Sequence, residues 1–199
     1  MKNKICIFIF FIAFNAWANN DINAPAGLQW GESGQDLIQK YSAKKVQTDG
    51  ALDLYEIIQT PMPLSGISEI YGAVDKKYGL VRVALIEIFR NDVYGIDGVD
   101  SYNKFKKLLG DKYGKPESYE YSGRAVYKNK SEFYECLAYE GCGGYSSFFP
   151  SVNGNGVYIQ LLGHKRGSGE LRIIYESKDL KKAQDELESL SVERNKTAL

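Results

Sequence analysis

The chain has 199 residues, with 25 basic and 25 acidic side chains, one His and three Cys. A formal charge of zero removes the usual electrostatic case for nucleic acid, and 44% hydrophobic content is that of a folded chain, not a disordered one. The length allows one domain, or two very small ones.

Met1 to Ala18 reads as a secretory leader. Lys2 and Lys4 supply its positive start, and residues 5–14 form an apolar core too short to span a bilayer. Ala16 and Ala18 are the small residues of a cleavage site, which places the cut before Asn19. Cys6 lies inside the apolar core and leaves with it; no Cys stands at the cut for lipid attachment. The remainder carries 23 basic and 25 acidic residues, net −2, and keeps Cys136 and Cys142. Two Cys in an exported chain read as one disulfide, here closing a short loop. A redox-active pair is expected at Cys-x-x-Cys spacing, and this spacing is wider. Two Cys and one His are too few for zinc. The expected compartment is the bacterial periplasm, with secretion as the alternative. Asn129-Lys130-Ser131 and Asn195-Lys196-Thr197 match the N-glycosylation pattern, which is short enough to arise by chance.

Residues 19–29 read as a loose arm, broken by Pro25 and Gly27, ahead of a single domain over residues 30–192. Ser33, with Asp36 three residues on, is a capping box opening a short helix. Leu37, Ile38 and Tyr41 form its expected buried stripe. A strand follows over 52–58, ended by Pro61 and Pro63. Residues 67–74 and 80–89 read as a strand pair joined by the turn at Asp75–Gly79. The second member is apolar on both phases, as a central strand would be. Asn91-Asp92 and Asp97-Gly98 mark a loop. Asp100 is expected to cap a second helix over 101–113, with Phe105, Leu109 and Tyr113 on one face and Gly114 and Pro116 as its stop.

Residues 118–127 suggest a strand interrupted at Gly123, and 131–140 lean to helix. Asn153–Gly156 is a turn. Strands over 157–162 and 171–175 form a hairpin across the 163–169 loop. A closing helix buries Leu180, Ala183, Leu187 and Leu190, with Lys181–Asp185 and Lys182–Glu186 as exposed pairs. Residues 193–199 read as a frayed tail. The order helix-then-antiparallel-strands occurs twice, from Ser33 to Phe89 and from Ser101 to Tyr175, with thin residue identity between the two. The fold class is α+β: an antiparallel sheet with helices packed on one face.

Motifs for chemistry are scarce. His164 sits in a basic loop without a Gly-x-Ser-x-Gly elbow, and the chain holds no phosphate-loop or dinucleotide fingerprint. Asp92, Asp97 and Asp100 lack the alternation and following Glu of a calcium loop. No cofactor or metal is therefore expected. The chain is instead rich in Tyr, with 15. Residues 133–149 hold Phe133, Tyr134, Tyr139, Tyr145, Phe148 and Phe149 together with both remaining Cys. Phe133 and Phe149 read as core. Tyr139, Tyr145 and Phe148 lie in a Gly- and Ser-rich stretch that reads as surface loop, and are the candidate partner-binding residues.

Gly27-Leu28-Gln29-Trp30-Gly31-Glu32-Ser33 opening a short helix, with Tyr113-Gly114-Lys115-Pro116 closing a later one, resembles a loose group of small exported proteobacterial proteins. That resemblance implies a periplasmic α+β protein without an established catalytic site. The element order is also similar to that of outer-membrane assembly lipoproteins and of the β-lactamase inhibitor protein. No functional residue is carried over from either. The expected function is non-catalytic binding of a protein partner, as an inhibitor, immunity-type protein or assembly factor, without nucleic acid and without a membrane span once the leader is cut. The alternative is an envelope hydrolase using a carboxylate pair or His164.

Overall fold

The computed structural model describes residues 21–49, 52–124 and 126–198; the leader expected over residues 1–18 lies outside them. Ser33 accepts from the Asp36 amide while Asp36 reaches back to the Ser33 amide, so the capping box opens α1, Gly34–Tyr41. Four strands follow: β1 Lys44–Asp49, β2 Leu52–Glu56, β3 Glu69–Asp75 and β4 Gly79–Arg90. After α2, Ile96–Tyr113, come β5 Glu117–Tyr121, the short α3 Phe133–Ala138, and then β6 Gly144–Phe148, β7 Gly156–Lys165 and β8 Ser168–Glu176. The helix α4, Lys178–Ala198, ends the described chain.

All eight strands form one antiparallel sheet in the order β1-β2-β3-β4-β8-β7-β6-β5. Each half is a four-stranded meander preceded by a helix. The halves join through their last strands, β4 and β8, paired from Arg82↔Glu176 to Arg90↔Ser168. The repetition expected from the element order is therefore a repetition of topology, and the long apolar β4 is central. In the β3–β4 turn, Asp75 accepts the Lys77 and Tyr78 amides at 2.7 and 2.9 Å. Gly79 closes that turn at φ +68°, and a Cβ there would lie 2.1 Å from the Gly31 carbonyl oxygen, so the position requires glycine.

Alternation along the strands sets the two faces. Tyr55, Val83, Leu85, Phe89, Val157, Ile159, Leu161, Leu171 and Ile173 share one buried cluster with Leu37 and Tyr41 of α1, Tyr102, Phe105 and Leu109 of α2, and Tyr134 of α3. These three helices thus cover one face. Leu180 and Ala183 of α4 are buried outside that cluster, and α4 packs against β4.

Several expectations are corrected. The segment expected as a loose arm is core: Ile22, Ala24, Ala26 and Leu28 are all buried, and residues 25–27 form a short 3-10 helix. The Ile22 carbonyl accepts from Trp30 Nε1 and from Asn155 Nδ2, each at 3.0 Å. The eight residues of α1 cover too little of the sheet, so this segment completes the apolar layer. Ile38 faces solvent instead, because only Leu37 and Tyr41 of the expected stripe point at the sheet. α2 begins five residues early, and Asp100 lies inside it. Two of its orphan amides are taken by Asp92, which accepts from Ile96 and Gly98 at 2.8 and 3.0 Å. β1 and β6 were not expected; both are polar strands whose partners, β2 and β7, supply the pairing. The β7–β8 hairpin runs on through the expected 163–169 loop to a tight turn. Residues 193–198, expected to fray, continue α4. Lys182 pairs with Asp179, and Glu186 with Lys77 and Tyr78 across the fold, in place of their mutual pair.

Candidate functional site

Cys136 in α3 and Cys142 after it form a disulfide, with 5.2 Å between their Cα atoms. Both are buried. Gly163 of β7 lies directly beneath α3, since a Cβ there would sit 1.8 Å from the Tyr134 carbonyl oxygen. Tyr134 itself is fully buried, and its hydroxyl donates to Asp92 at 2.8 Å. Burial first, then Asp92, pushes that hydroxyl far above the usual tyrosine range. The disulfide, Tyr134 and Asp92 therefore bind the start of α2, α3 and the β7–β8 hairpin into one rigid corner. Asp92 is a helix cap and Asp97 and Asp100 are helical, so the three do not converge; among the described residues no group of three His, Cys, Asp or Glu forms a metal site.

The three candidate partner-binding residues are not brought together. Tyr139, at the end of α3, is 50% exposed and edge-packs on Tyr127 at 6.0 Å. Tyr145 lies on the helix-covered face of β6, half-buried between Tyr102 and Phe133 at 5.6 and 5.7 Å. Burial and then Glu120 raise its pKa. The expectation that Tyr145 is a surface contact is thus corrected: the stretch is strand, not loop, and alternation turns this ring inward. Phe148, three residues on, faces the opposite side and is 43% exposed. Phe133 packs at the core edge and Phe149 within the core, as expected.

Phe148 belongs to an aromatic strip that the sequence reading missed. It stacks on Tyr158 of β7, centroids 5.6 Å apart at 27°, and Tyr119 of β5 meets it edge-on at 6.4 Å. The three rings lie on adjacent strands β5, β6 and β7, on the face opposite α1, α2 and α3. Period-two alternation was the available signal: Tyr158 stands between inward Val157 and Ile159, and Tyr119 between Ser118 and Glu120, whose side chains reach the Tyr102–Ser147 cluster. Tyr119 donates to Glu117, which is the first cause of its raised pKa. Beyond the strip the same face carries Arg82 paired with Glu176 at 2.7 Å, and Arg172 paired with Glu170.

His164 stands on this face too. Its Nε2 lies 3.1 Å from Glu170 Oε2. A catalytic His must hold a nucleophile as well as an orienting acid. Among the described residues no hydroxyl or thiol hydrogen-bonds to it.

Compared with known protein families, curated proteins and solved structures, the chain matches none. Among the described residues no helix is long and apolar enough to cross a membrane.

Proposed function

We propose that this is an exported, non-catalytic protein of the bacterial periplasm that binds a protein partner, in an inhibitory, immunity-type or envelope-assembly role. The observation that carries this reading is the strip Tyr119–Phe148–Tyr158, in which exposed Tyr119 and Phe148 pack with half-buried Tyr158 on a sheet face not covered by α1, α2 or α3. Aromatic side chains supply large contact area with few rotamers to freeze, and a rigid sheet presents them without an ordering cost. The leader pattern and the disulfide support an oxidising compartment.

Phe148→Ala and Tyr119→Ala test it. Central aromatic anchors lose about 2 kcal/mol or more of binding on truncation. Capture of a defined periplasmic partner should be lost in these variants while their thermal melting stays close to that of the parent. Capture that survives both substitutions overturns the reading. The exported protein should begin at Asn19 on N-terminal sequencing; an intact Met1 end would overturn the compartment.

A further inference from the structure

Beside the disulfide, and apart from the aromatic strip, an open cleft of about 530 Å3 separates the start of α2 from the segment between β5 and α3. Its walls are Tyr94, Ile96, Tyr127 and Phe133, and Lys128 and Lys130 stand at it. We propose that this cleft binds a small soluble organic anion with an aromatic or aliphatic body.

Four observations converge on it. The volume is that of a small-molecule site. Tyr94 and Ile96 are each 61% exposed, and Tyr127 41%, so large apolar side chains gather here in water, which a fold does not need for its own stability. Among the described residues the lining contains two cations and no acid. Neither Lys128 nor Lys130 has an ion-pair partner among the described residues. The two lysines bias the cleft toward anions, with the Glu132 carboxylate held back on the Asn129 amide at 3.2 Å. Tyr127 also sits at φ +52°, a left-handed conformation rare for a bulky residue, and such strain clusters at ligand sites. Its ring is braced by Tyr139, and the floor is held by the disulfide through Cys136, whose Sγ accepts the Gly123 amide at 3.1 Å. The apolar walls would take the ligand body and the two lysines its charge. Ser122 and Asn129 supply further hydrogen-bonding groups at the cleft.

The probe is anilinonaphthalene sulfonate, an aromatic anion, titrated into the folded protein by fluorescence and calorimetry. One saturable site is expected, with a raised melting temperature and affinity that weakens as salt is added. Lys128→Gln with Lys130→Gln should weaken it about tenfold or more. Ile96→Glu, which places an acid at the cleft, should do the same while leaving melting unchanged. Uncharged phenylnaphthylamine should bind far more weakly than the sulfonate. Absence of a saturable site, affinity unchanged in both variants, or equal binding of the uncharged probe would each overturn the proposal. Co-flotation with phosphatidylglycerol vesicles, abolished by the same lysine substitutions, would overturn it in favour of a membrane headgroup. Loss of the sulfonate site leaves the partner-binding reading intact, because Phe148 is not part of the cleft.

Discussion

In the first half of the sheet, the eight-residue α1 and the buried segment around Ile22 close the core over β1–β4. In the second half, the 18-residue α2 supplies Tyr102, Phe105, Leu109 and Tyr113, and α3 is inserted between β5 and β6 and clamped by a disulfide. One topology is thus completed twice by different means. The first half borrows a segment that also reaches across to Asn155 of the second. The second half is covered by its own helix, and α3 adds a braced corner. The features with no role in closing the core gather in this second half: the Tyr119–Phe148–Tyr158 strip, and the cleft between Tyr94 and Lys130. The strand face of the first half that corresponds to the strip carries Leu54, Glu56, Tyr71 and Ala73 instead.

The sharpest test of this contrast is to remove one anchor from each half. Tyr134→Ala should cost about 3–5 kcal/mol, and Leu37→Ala about 2–5 kcal/mol, in urea-unfolding experiments, since both side chains are fully buried. A loss under about 1 kcal/mol for Tyr134 would mean that α3 is not integral to the second half. Tyr134 also has a pH signature. Unfolded tyrosines ionise near pH 10, while burial and Asp92 keep this one protonated well above that. The unfolded state then binds fewer protons than the native state, so stability is full below about pH 10 and falls as pH rises through and beyond it. Phenolate absorbance followed against unfolding should show the Tyr134→Phe variant losing part of that alkaline slope.

A smaller effect is expected from the disulfide. Replacing Cys136 and Cys142 together by Ser should cost about 2 kcal/mol, the loop-closure value for so short a loop. Amide exchange should accelerate in α3 and in the segment before it and stay unchanged in α1. Equal acceleration in both halves would show that the corner is not an independent device. The smallest effect belongs to the first half: Ser33→Ala removes an exposed helix cap and should lower stability by about 1 kcal/mol. In contrast with the buried Asp92 cap of α2, that change should leave every amide of the second half untouched.

Local grammar made much of the fold legible. The capping box at Ser33, the Asp75–Gly79 turn, the apolar β4 and the Phe105–Leu109–Tyr113 stripe were each written in a few neighbouring residues, and each stands in the structure. The Cys136–Cys142 link followed from composition and the expected export. The polar strands β1 and β6 were not legible, because Lys-Lys-Val-Gln-Thr-Asp and Gly-Tyr-Ser-Ser-Phe carry little apolar alternation of their own. They are strands because β2 and β7 offer unpaired backbone beside them. Of the candidate site, Phe148 and Tyr139 were found as exposed aromatics. Tyr145 was misplaced, because a strand read as loop gives no rule for which way a ring turns.

By itself the sequence determined most of the helices and apolar strands, the Asp75–Gly79 turn, the Ser33 cap and the covalent link, all of which depend on residues close along the chain. Only the tertiary structure decided that β4 and β8 meet at the centre, that Ile22 fills a gap left by a short helix, and that Tyr119, Phe148 and Tyr158 pack together across three strands. Those outcomes depend on residues tens of positions apart competing for the same buried surface, and local propensity carries no information about which of them will meet.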